Sequence, residues 1–88
     1  MDTIINDKNE YNFMKTYLSI WYNSDGDSSS PTEVNNRLMS LGFKPIHGLY
    51  DYVFEWNKIA TLDDVLRMGD KVQLTLGGTG VLFKIETV

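Results

Sequence analysis

Two carboxylates and a hydroxyl fall within four residues at Asp25-Gly26-Asp27-Ser28. These are oxygen donors of the kind a hard divalent cation takes. The stretch departs from a calcium loop, because counting from Asp25 the sixth position is Ser30 and the twelfth is Asn36. A solvated turn is the plainer reading of so short a match. His47 is the only histidine and a candidate general base or pH-sensitive group. Beside Gly48 it also reads as an ordinary turn residue. Gly77-Gly78-Thr79-Gly80 offers backbone N–H groups to a phosphate. No helix and no Lys-Ser or Lys-Thr pair follows it, and the end of a helix turning into a strand explains it more simply. Ser28, Ser29 and Ser30 precede Pro31, where a helix N-terminus would meet an anion, but the neighbouring aspartates repel one. Asp25, Asp27, His47, Gly78 and Thr79 are the candidate ligand or metal residues. Acid, base and nucleophile cannot be assigned together, so no catalytic residue and no cofactor is expected.

Composition narrows the classes further. The 88 residues fit one domain with a modest core. Without cysteine, disulfides, Cys-ligated zinc, iron–sulfur clusters and thiol nucleophiles are excluded. A net charge of −4 and a pI near 4.7 disfavour nucleic acid, whose binding rests on phosphate neutralisation. No apolar run approaches the ~18 residues of a membrane-spanning helix, and the N-terminus lacks the pattern of a signal peptide. The expectation is a cytoplasmic protein that does not engage membranes and whose partner is itself or another protein.

Any site needs elements to hold it. Residues 1–13 are polar and aperiodic and read as an N-terminal arm; residues 14–88 read as one domain. Lys15–Tyr22 is rich in β-formers, with Leu18, Ile20 and Tyr22 on one side and Tyr17, Ser19 and Trp21 on the other. Ser30, Pro31 and Glu33 predict a helix start with a capping box. Val34, Leu38 and Leu41 supply its apolar face, and Gly42 its end. Phe43–Ile46 is a short extended piece, and Pro45 suits it to an edge. In Tyr50–Trp56, Tyr52, Phe54 and Trp56 alternate with Asp51, Val53 and Glu55. Thr61 and Asp64 predict a second capping box, with Ala60 and Val65 placed for a staple. The second helix carries an apolar stripe of Leu62, Val65, Leu66, Val72 and Leu76, interrupted by Gly69, which a close helix approach would explain. Val81–Val88 is the last strand, with Val81, Phe83 and Ile85 inward and Leu82, Lys84 and Glu86 outward.

The order β-α-β-β-α-β predicts an α+β, ferredoxin-like two-layer sandwich with an antiparallel sheet in the order 4-1-3-2 and both helices on one face. Merging residues 43–56 into one strand gives a three-stranded alternative, against which Pro45 and Gly48 argue. In the favoured topology the connections 23–30, 47–49 and 77–80 meet at one end. The other sheet face is left to Tyr17, Trp21, Val53 and Leu82, an apolar patch rimmed by charge that suits protein association. The chain's favoured reading is therefore a non-enzymatic self-association or protein-interaction domain. The alternative is a regulatory domain that binds a small ligand or a divalent cation through the three loops.

The run Leu41-Gly42-Phe43-Lys44-Pro45-Ile46 followed by Tyr50 to Trp56 resembles small ferredoxin-like proteins, including small archaeal ones without an assigned activity. The resemblance spans residues 15–88 at the level of topology. Acylphosphatases share the layout but need an arginine in the first loop, and 23–30 has none. CRISPR-associated nucleases of this fold usually end the first strand on an aspartate, where this chain has Tyr22-Asn23. Amino-acid-binding regulatory domains often carry a glycine at the first loop, which Gly26 matches weakly.

Overall fold

The computed structural model describes residues 14–22 and 29–88. Six elements follow one another: β1 (Lys15–Tyr22), α1 (Pro31–Ser40), β2 (Lys44–Pro45), β3 (Tyr52–Glu55), α2 (Leu62–Leu76) and β4 (Val81–Thr87). The sheet order is β2-β3-β1-β4 and every pairing is antiparallel. This is the ferredoxin-like βαββαβ arrangement expected from the residue pattern. β1 and β4 lie where expected, but β2 and β3 are shorter than the extended runs that contain them.

Each helix begins where its capping residues place it. Ser30 Oγ accepts the Glu33 N–H of α1 (3.2 Å), and Pro31 occupies the first turn. Only half of the expected box forms, because the Glu33 carboxylate turns to Arg37 one turn on (2.6 Å). In α2 the box is complete: Thr61 Oγ1 accepts the Asp64 N–H, and Asp64 accepts the Thr61 N–H (2.9 Å). The end of α1 is a Schellman motif, with the Gly42 N–H donated to Met39 O and the Phe43 N–H to Leu38 O. Gly42 takes φ +101°, and a β-carbon there would lie 2.8 Å from the Phe54 ring. The motif thus delivers Phe43 straight into the core.

That core lies between the helices and one sheet face. Leu18, Val34, Leu38, Phe43, Tyr52, Trp56, Ala60, Met68, Val72, Leu76 and Val81 form it, with Ile20, Phe54, Val65, Phe83 and Ile85 packed around them. Phe54 sits edge-on to Trp56 (centroids 4.9 Å) and tilted against Phe43 (5.7 Å). A buried polar chain crosses this layer: Trp56 Nε1 donates to Thr16 Oγ1 (2.8 Å), which shares a 2.7 Å hydrogen bond with Thr87 Oγ1.

Three expectations about the core are corrected. Tyr22, the last residue of β1, is exposed. The buried face of α2 is Met68, Val72 and Leu76, rotated from the predicted stripe, so Leu62 and Leu66 face solvent at 73% and 57% exposure. Gly69 makes no close approach, for a β-carbon built there meets nothing within 4 Å.

Candidate functional site

β1 and β3 run side by side only as far as Leu18↔Tyr52. Above that point Asp51 finishes the job: its N–H reaches Leu18 O (2.9 Å), and its carboxylate accepts the Ile20 N–H (2.9 Å) in place of a strand carbonyl. The chain just before Asp51 is thereby folded back over the sheet's outer face. Tyr50 stacks on Tyr17 (centroids 4.6 Å, planes 23° apart), and its hydroxyl donates to Glu86 on β4 (2.8 Å). That hydrogen bond, with some burial, holds the Tyr50 phenol above its ordinary pKa.

The outer face is therefore less open than the alternation implies. Of the four residues expected to form its apolar patch, Val53 is 6% exposed and Tyr17 is half-buried under Tyr50. This corrects their placement on a free surface. Trp21 and Leu82 remain exposed, at 52% and 66%, and they face each other across β1 and β4. Sequence reasoning missed the Tyr50 cover, although a tyrosine ahead of Asp51 was visible. Nothing local says where a loop side chain will land.

Beside the Tyr17–Tyr50 stack lies a groove of about 600 Å³ lined by Lys15, Ile46, His47, Leu49, Val53, Glu55 and Val88. It pairs an aromatic and aliphatic floor with one cation, one carboxylate and one imidazole at its rim. Such a mixture suits an amphipathic small molecule better than a phosphate or a metal ion.

His47 thus belongs to the outer face. The three connections expected at one end come together only in part. The Ser29 N–H donates to Thr79 O (2.9 Å), which brings the first and last together. Thr79 is fully buried, and its hydroxyl donates to Leu76 O (2.6 Å) while accepting the Val81 N–H (3.2 Å). Its polar atoms are thus engaged in closing α2 and starting β4. Gly78 is exposed at φ +81°. Asp25 and Asp27 lie outside the described residues. Among the described residues, no three His, Asp or Glu side chains group closely enough to hold a metal ion, and no helix is long and apolar enough to cross a membrane. Compared with protein-family models, with curated proteins and with solved structures, the chain matches none of them.

Proposed function

We propose that this chain is a non-catalytic association domain whose partner is a second copy of itself. The observation that carries the reading is the exposed cross-strand pair Trp21–Leu82 on the outer face of β1 and β4. A tryptophan and a leucine left half or more in water, side by side, offer the large apolar area that protein interfaces bury first. Charge supports a protein partner, since a net −4 disfavours nucleic acid. The test is light scattering across a concentration series, with Trp21→Glu as the variant. Wild type is expected to dimerise and Trp21→Glu to dissociate at least tenfold more readily, about 1.4 kcal/mol. A wild-type chain that stays monomeric at every concentration defeats the reading.

A second reading, small-ligand binding, is supported by the groove beside Tyr17 and Tyr50. It draws on different residues from the loop site of Asp25, Asp27, Gly78 and Thr79, with His47 common to both. Titration with small aromatic zwitterions, followed by amide chemical shifts, tests it. Shifts confined to Lys15, Tyr17, His47 and Val53 support it, and unchanged spectra dismiss it.

A further inference from the structure

The two edges of the sheet are built differently. β2 is two residues long and contains Pro45, which blunts that edge. β4 is seven residues long, without proline, and among the described residues nothing pairs with its outer side. Such an edge presents a row of free donors and acceptors.

Which residues carry them follows from the ladder with β1. Lys15 and Val88 exchange both backbone hydrogen bonds (3.0 Å each). Hydrogen-bonded and non-hydrogen-bonded pairs alternate in an antiparallel ladder. Leu82, Lys84 and Glu86, in the continuous register opposite Trp21, Ser19 and Tyr17, therefore turn their N–H and C=O groups toward β1. Val81, Phe83, Ile85 and Thr87 turn theirs to the free edge.

The flank of α2 above that edge is also unfinished. Arg37 of α1 donates to Thr75 O (3.1 Å), which places α1 on one side of α2. Leu62, Leu66 and Gly69 lie on the other side, over β4. Both leucines are exposed, and the Gly69 position has open space beside it.

We infer that a second copy pairs antiparallel with β4, with Ile85 on the two-fold axis, giving one continuous eight-stranded sheet. The inference rests on the self-association reading and moves the seam to the edge beside the Trp21–Leu82 pair, where Leu82 is flanked by Val88 of the second copy and Trp21 stays on the outer face. A symmetric antiparallel pair must match edge-facing residues with one another, which allows an axis on any of the five inner residues, Leu82 to Glu86. An axis on Leu82 sets Lys84 against Gly80 and carries Glu86 beyond the start of the second strand. An axis on Lys84 or Glu86 sets that charge against its own copy. An axis on Phe83 sets Lys84 against Leu82 of the second copy. Only the axis on Ile85 sets Lys84 opposite Glu86 of the second copy, twice, and Leu82 opposite Val88, also twice. On the helix side Ile85 then meets Ile85, and the two α2 flanks, with their exposed leucines and Gly69, are brought side by side. The occupant is selected by charge pattern and hydrogen-bond parity together.

Charge reversal tests the register on two exposed side chains. Because Glu86 also accepts the Tyr50 hydroxyl, Glu86→Gln, which removes the charge and keeps an acceptor, is run beside them and is expected to weaken the dimer less than Glu86→Lys. Lys84→Glu and Glu86→Lys are each expected to raise the dimer dissociation constant about tenfold at low salt. The double variant K84E/E86K restores both pairs and is expected to return within about twofold of wild type. Circular dichroism checks that each variant is folded. A dimer that Trp21→Glu breaks but neither reversal weakens overturns the edge pairing and leaves the association reading standing. Reversals that weaken the dimer without rescue in the double variant overturn the register. A monomeric wild type overturns both proposals.

Discussion

At the scale of single residues, Thr16 is one of two fully buried polar side chains among the described residues. It is fully buried at the centre of a chain from Trp56 to Thr87. Replacing it with valine keeps the volume and strands the indole N–H in the core, at a cost of about 1–3 kcal/mol. Thr16→Ser keeps the acceptor and is expected to lose less; urea unfolding of the two variants gives the comparison. This partnership was not legible in the sequence. Thr16, Trp56 and Thr87 are far apart along the chain, and a threonine in a strand ordinarily reports only β-propensity. The Tyr17–Tyr50 stack was illegible for a related reason: it depends on the fold-back that Asp51 fixes. By contrast Trp21 and Leu82 were legible as outward-facing, since strand alternation alone sets the face.

At the scale of elements, the helix starts were written locally and read well. Thr61 and Asp64 form the full reciprocal cap because both partners lie within one turn. The Thr61 N–H, and then Lys58, hold the Asp64 carboxyl below its ordinary value of 3.8. A depressed folded pKa contributes stability above the unfolded value, and that stability is lost as pH falls through the folded one. Asp64→Ala is thus expected to lower the melting temperature at neutral pH, and the gap from wild type should close below about pH 4. Thermal scans across pH 2–7 (roughly the range that brackets an aspartate) measure this. The rotation of α2 was harder to read, because Leu62, Val65, Leu66, Met68, Val72 and Leu76 offer two overlapping stripes. Periodicity cannot choose between them. Packing chose the one with Met68, which is buried in the core cluster with Val72 and Leu76.

At the scale of the whole molecule, the layered architecture followed from element order alone, while the candidate site did not. Three loops were expected at one end, and the structure instead draws the 47–50 connection over the sheet. Length and composition could not show that, since a four-residue link is long enough to go either way. The acidic balance yields a prediction at this scale. Fluorescence anisotropy with duplex DNA at about 50 mM salt should show no binding, because there is little phosphate neutralisation to release counterions.

The contrast between the two sheet edges has a consequence for how large an assembly can grow. A strand-pairing protein with two open edges has a valence of two and propagates into filaments. Here Pro45 and the two-residue β2 close one side, and the seven-residue β4 leaves the other available. Among the described residues, the proposed edge pairing therefore has a valence of one. Pairing through β4 would consume the one open edge of the described sheet, and growth would terminate at the first step.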